Sequence, residues 1–129
     1  MHPTIFLISG DPEIESAVRE AARRTCNGVT VAHTARDAVK AFAHGFEDLS
    51  LILMDLDPDA HGVTLLNGLE DCPGNAPVVA LTGCEESQMK PLAMGRGAAG
   101  CFGKPVTASR LQRLFEAFCA IPTHHASLS

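Results

Sequence analysis

Apolar residues run along this chain in two alternating patterns. The first is a short continuous burst bounded by turn residues. Ile5-Phe6-Leu7-Ile8 is one, and it ends at Ser9-Gly10-Asp11-Pro12. An uninterrupted run of this length predicts a strand covered on both faces. Runs at 29–32, 49–54 and 77–81 predict three more strands, and Cys101-Phe102 a very short fifth. The second pattern has the helical period. Ile14, Val18, Ala21 and Ala22 share one face, behind a start where Pro12 suits the first turn and Asp11 or Ser9 caps it. That helix is expected to stop near Cys26-Asn27-Gly28. Thr34 caps the next, with Ala35, Ala38, Val39 and Phe42 as its stripe and Gly45 as its stop. Residues 63–69 predict a short helix, and residues 85–94 another that Pro91 kinks or shortens. Thr107 caps a last helix, in which Leu111, Leu114, Phe115 and Phe118 recur at i, i+3, i+4 and i+7.

Five strands, each followed by a helix, make a (βα)5 chain. Parallel neighbours need crossovers, and those crossovers are right-handed. The economical solution is an α/β three-layer sandwich, an open parallel sheet with helices on both faces. Residues 1–120 are expected to form this one domain and residues 121–129 a frayed tail. In such sheets the site lies outside the carboxyl ends of the strands, where the strand order reverses.

Composition narrows the function. The chain has 129 residues, 46% hydrophobic and 19% charged, which suits one globular domain and excludes a disordered or fibrous chain. Six Phe with no Trp or Tyr make a poor stacking platform for single-stranded nucleic acid. The net charge of −5, with no basic run beyond Arg23-Arg24, argues against direct binding of DNA or RNA. Five Cys, with no two of them three residues apart, form neither a disulfide framework nor a zinc pattern. Met1-His2-Pro3-Thr4 carries no basic leader, and no apolar run is long enough for a membrane span. The expected location is the cytoplasm. His61, His124, His125, Cys84, Met89 and Met94 are read as surface or packing residues.

The carboxyl ends of the predicted strands carry the candidate chemistry. Strand one delivers Ser9, Gly10 and Asp11; strand three delivers Asp55 and then Asp57; strand four delivers Thr82; strand five delivers Lys104. Taken singly, such residues are helix caps, turn formers and solvated charges. Taken together they set an acid, a hydroxyl and an amine on one edge. Asp55 could accept a phosphoryl group as an acyl phosphate. Lys104 would pair with one phosphoryl oxygen and Thr82 would donate to another. Phosphoryl transfer also needs a hard cation, and Mg²⁺ is usually held by one or two carboxylates with phosphate oxygens and water.

At these residues the chain resembles the receiver domain of two-component response regulators. The resemblance spans about residues 4–119. It rests on the apolar strand ending at Asp55, on Pro77-Val78-Val79-Ala80-Leu81-Thr82-Gly83, and on Gly97-Ala98 leading to Lys104-Pro105. It implies a flavodoxin-like sheet of order 2-1-3-4-5. Asp55 is then the phosphoacceptor, Thr82 the switch hydroxyl and Lys104 the phosphate-binding lysine. It further implies a signalling module rather than an enzyme. Its partners would be a histidine kinase or phosphotransfer protein and a downstream protein, with a homodimer left open. The partner surface would combine residues 85–94, Phe102 and residues 107–118, with Arg110 and Arg113 as its exposed charges.

Three positions depart from the family's pattern. Ser9 and Gly10 stand where the family has its metal-binding acids, and only the next residue, Asp11, is acidic. Pro58 and Gly62 follow Asp55 by three and seven residues, one short of the usual four and eight. Cys101 occupies the aromatic switch position, and Phe102 beside it faces the other side of the sheet. The expected metal ligands are therefore Asp11, Asp55 and Asp57, holding Mg²⁺ weakly. The expected function is a receiver-like module with impaired phosphorylation of Asp55. One alternative is a fully phosphorylatable single-domain regulator in which Asp11 holds the metal. A flavodoxin-like binder of a nucleotide or flavin is disfavoured, because Asp11 would repel a phosphate at the helix start. The chain is expected to act by docking on a partner, as a stand-alone protein or as part of a longer one.

Overall fold

The computed structural model describes residues 3–46, 48–55, 76–82, 99–103 and 105–118. Within them β1 (Thr4–Ile8), β2 (Gly28–Ala32), β3 (Leu49–Asp55), β4 (Val78–Thr82) and β5 (Gly100–Gly103) form one parallel sheet in the order β2-β1-β3-β4-β5. Three helices are described: α1 (Pro12–Arg24), α2 (Ala35–His44) and α3 (Ala108–Phe118). The strands lie where the apolar bursts put them, within about a residue at each end. The helices expected at 63–69 and 85–94, and the tail, lie outside the described residues. No helix among the described residues is long and apolar enough to cross a membrane.

Strand alternation sorts the bursts into two cores. Ile5, Leu7, Leu51, Leu53, Val79 and Leu81 face one way and pack with Ile14, Val18, Ala21 and Ala22 of α1 and with Leu111 and Phe115 of α3. Phe6, Ile8, Ile52, Met54, Val78 and Ala80 face the other way, toward Ala38 of α2. There Phe6 meets Phe42 edge-on at 5.2 Å between ring centroids and Phe46 at 4.9 Å. Central strands are buried on both faces, which is why their sequences show no polar alternation.

The helix ends follow ordinary capping chemistry. Asp11 Oδ1 accepts the Glu13 N–H at 2.9 Å, with Pro12 at the first helical position. Thr34 Oγ1 accepts the Asp37 N–H at 3.1 Å, and Thr107 Oγ1 the Arg110 N–H at 3.3 Å. Gly45 ends α2 with φ 86°, a backbone region that a residue without Cβ enters at little cost. At the end of α1 that region is taken by Cys26, with φ 59°, while Gly28 already opens β2.

Two apolar positions differ from expectation. Val39 was placed on the buried stripe of α2 and is 58% exposed. Successive helical residues are turned by about 100°, so with Ala38 facing the sheet its neighbour points away. In α3, Leu111 and Phe115 are fully buried, Leu114 is half-buried against the same core, and Phe118 is 37% exposed. Helical spacing gives the direction of a side chain but not how far along the helix its cover extends. The stability costs follow burial. Leu111→Ala should cost about 2–5 kcal/mol by chemical denaturation, whereas Leu114→Ala should cost only about 1–2 kcal/mol. Equal losses at the two positions would contradict this packing.

Candidate functional site

The site begins with register. β1 pairs with β3 through Ile8 and Met54, so the next residues, Ser9 and Asp55, stand level at the carboxyl edge. Alternation puts both in the columns of Leu7 and Leu53. The side chains meet: Ser9 Oγ donates to Asp55 Oδ2 at 2.8 Å. Ser9 is only 4% exposed, and the same oxygen accepts the Asp11 N–H at 3.0 Å. One buried hydroxyl therefore joins the end of β3 to the start of α1. The sequence reading treated Ser9 as an absent acid and missed it as a bonding partner. The available signal was a hydroxyl one residue past a buried strand, beside the strand that delivers the acid.

Asp11 is engaged at the helix start. Its carboxylate caps α1 through the Glu13 N–H. Asp55 pairs with Leu81 across β3 and β4, and Thr82, the next residue, pairs with Gly103 of β5. Thr82 is fully buried. Ser9 and Asp55 thus share one level of the edge, and Thr82 and Gly103 stand one residue further on. Lys104 and Asp57 lie outside the described residues.

Among the described residues, the donor set suits Mg²⁺ poorly. This ion favours carboxylate oxygens and gives up water reluctantly. At the two positions beside Asp55 the chain offers a neutral hydroxyl, already bonded to the carboxylate, and a glycine with no side chain. Among the described residues, no group of three or more His, Cys, Asp or Glu is arranged to hold a metal. A Cβ built on Gly10 would meet the His33 carbonyl oxygen at 3.4 Å, the near limit of ordinary contact.

β5 carries its two side chains to opposite faces. Cys101 packs with the α2-side core, and Phe102 with the core under α1 and α3. Phe102 therefore does not replace a ring at position 101. It lies under the guanidinium of Arg110, whose carbon is 4.2 Å from the ring centroid. Arg110 was expected as an exposed charge of the partner surface. It is exposed, but its Nη1 donates to the carbonyls of Gly103 at 2.9 Å and Pro105 at 2.8 Å. Of the two arginines expected on the partner surface, Arg113 is the exposed one without these contacts to β5 and the following loop.

A second polar contact ties the end of β2 to α1. His33 Nε2 lies 2.9 Å from Glu15 Oε1, and Arg19 pairs with the other carboxylate oxygen at 3.0 Å. The His33 hydrogen bond, and then that from Arg19, hold the Glu15 carboxyl below its ordinary value. A carboxyl lowered in the folded state stabilises it above the unfolded pKa, and that gain is lost as pH falls through the folded pKa. The pair is exposed, so the effect is local. In an NMR titration of the Glu15 carboxyl carbon, His33→Ala should move the midpoint up toward the ordinary range while Arg19 keeps it from returning fully. An unchanged midpoint would show that His33 does not contact Glu15 in solution.

A parallel 2-1-3-4-5 sheet with an acid at the carboxyl end of its third strand is a flavodoxin-like α/β architecture with its polar residues where such sheets place a site. The model of the response regulator receiver domain family matches residues 5–116, and the chain belongs to that family. It is a receiver domain of two-component signalling. Among solved structures, a response regulator from Thermotoga maritima superposes with a TM-score of 0.80 at 18% identity, covering 94% of this chain and 100% of its own. A CheY-like receiver domain protein from Methanospirillum hungatei JF-1 gives 0.78 at 20% identity, covering 91% of this chain and 93% of its own. The signal receiver domain of a putative LuxO repressor protein from Vibrio parahaemolyticus gives 0.75 at 22% identity, with 91% and 89% covered. At these identities the likeness speaks for the fold. No curated protein matches the sequence.

Proposed function

We propose that this receiver works as a docking module in phosphorelay signalling, with Asp55 at the phosphoacceptor position and its phosphorylation impaired. The observation that carries this reading is the 2.8 Å hydrogen bond from Ser9 Oγ to Asp55 Oδ2. Phosphorylation would require a carboxylate oxygen of Asp55 to attack phosphorus while the bond to the donor breaks, P–N with release of the imidazole from a phosphohistidine, or P–O with release of acetate from acetyl phosphate. Negative charge accumulates on the phosphoryl oxygens during transfer and needs cationic neutralisation. A hydroxyl supplies a dipole in place of a charge. Its O–H also donates to an oxygen of the attacking carboxylate. Lys104 would supply a single positive charge, and Thr82 one hydrogen bond.

The alternative, in which Asp11 holds Mg²⁺ and Asp55 is fully phosphorylatable, is opposed by the cap where the metal would draw Asp11 Oδ1 away from the helix end. That would strip the Glu13 N–H of its acceptor, a loss of about 0.5–2 kcal/mol. The same acid disfavours a nucleotide or flavin phosphate at this helix start. The partners of the module are a histidine kinase or phosphotransfer protein upstream and a protein target downstream. Mg²⁺ binds weakly at most.

The test is mass spectrometry for a phosphoryl adduct after incubation with acetyl phosphate and Mg²⁺. The wild type should label slowly or not at all. Ser9→Asp with Gly10→Asp should gain labelling, and adding Asp55→Asn should abolish the gain. Without metal the double variant sets like charges against Asp55 and should melt below the wild type, and Mg²⁺ should recover its Tm. Rapid, stoichiometric labelling of the wild type, lost in both Asp55→Asn and Asp11→Ala, would overturn the reading in favour of Asp11 as ligand.

A further inference from the structure

Arg110 stands in the first turn of α3, yet its side chain runs back toward the sheet. Both hydrogens of Nη1 are used, one on the Gly103 carbonyl at 2.9 Å and one on the Pro105 carbonyl at 2.8 Å. The guanidinium plane covers the half-buried Phe102 ring, with its carbon 4.2 Å from the centroid. The three groups held are residues 102, 103 and 105, which bracket Lys104. Each contact has its own physical basis. Donation from a cation strengthens the two hydrogen bonds, and the ring's negative face attracts the charge. A planar fork can make all three contacts at once, whereas a lysine ammonium on a flexible stem would reach them one at a time.

We propose that Arg110 is a positioning residue: it ties Gly103 and Pro105, the two neighbours of Lys104 in sequence, to the start of α3 and so restricts the backbone on either side of that lysine. The sequence separation supports this. Arg110 is seven residues from Gly103 and five from Pro105, so the contacts close a small loop whose unclamped chain would have wide freedom. The backbone on the strand side is already fixed, because Thr82 pairs with Gly103. The clamp extends that order across position 104 to the helix. Its consequence for phosphoryl binding rests on Lys104 being the phosphoryl-binding amine proposed above.

Amide hydrogen exchange and ¹⁵N order parameters of the whole chain test the clamp without any metal or phosphate. Arg110→Ala should accelerate exchange at Gly103, Lys104 and Val106 by about tenfold relative to amides of β1 and α1. Arg110→Lys should restore part of the loss. Phe102→Leu should loosen the same amides less, and it should shift the Arg110 side-chain protons downfield as the ring current is lost. If Arg110→Ala fails to fold, Arg110→Gln is read in the same way. Unchanged exchange, or acceleration spread evenly over β1 and α1, would overturn the clamp. A fluoroberyllate titration of the Ser9→Asp/Gly10→Asp chain, with and without Arg110→Ala, then separates the two ideas. A loosened loop with several-fold weaker fluoroberyllate binding and unchanged Mg²⁺ affinity supports both. A loosened loop with unchanged fluoroberyllate affinity keeps the clamp and overturns the assignment of Lys104.

Discussion

The site depends on one irregularity in the pairing of β1 with β3. Thr4 pairs with Leu49, but Ile5 pairs with Leu51, so β3 carries one extra residue, Ser50, near its start. If the pairing of Thr4 with Leu49 ran on without that shift, Ser9 would stand level with Met54, and Asp55 would lie one step beyond and on the other face. The bulge sets both parity and height. It puts Leu51 and Leu53 in the same core as Ile5 and Leu7, and it ends the ladder with Ser9 beside Asp55. Packing and chemistry therefore share one register. A slip that moved Asp55 would also turn the apolar side chains of the most buried strand pair the wrong way, so the position of the acid is held by the core.

A hydroxyl in that place gives Asp55 a different environment from the one an acidic pair would create. Two further carboxylates would repel Asp55 until a cation bound, and the pocket would depend on the cation for its order. Ser9 reverses this. It donates to Asp55 and accepts from the Asp11 backbone, so strand end and helix start are joined by groups the chain itself supplies. A buried hydroxyl with both a donor and an acceptor partner carries little desolvation penalty. The arrangement gains internal order and forfeits the neutralising charge that phosphoryl chemistry needs.

Much of the fold was legible because it rests on patterns that one sequence displays. Continuous apolar bursts marked the strands, and Asp11, Thr34, Gly45 and Thr107 marked helix ends. Burial along a helix was less legible. Val39 and Phe118 looked like core because periodicity reports direction, and whether an opposing element covers a position is decided in three dimensions. At the site, Asp55 and Thr82 were readable as polar residues ending apolar strands. The bond from Ser9 was not, since it depends on the register between β1 and β3, and register was set by a bulge that no local propensity announces. The engagement of Arg110 was hidden for a similar reason: a charged residue in the first turn of a helix reads as solvated until the loop before it has a shape.

β5 is where the chain departs furthest from a uniform sheet. It is four residues long, lies at the edge and keeps all of its residues only half-buried. Such a strand is held weakly by the sheet alone, because it pairs on one side and packs little apolar area. Two features compensate. Phe102 anchors in the core beneath α1 and α3, and Arg110 closes over the ring while taking up the carbonyls on either side of position 104. Placing the ring at 102 rather than 101 is what makes this possible, since only that face of β5 looks toward α3. The residue that departs from the family's aromatic position is thus tied to the residue that stabilises the edge. With Cys101 turned to the opposite core, the edge strand is held to α3 through Phe102 and Arg110.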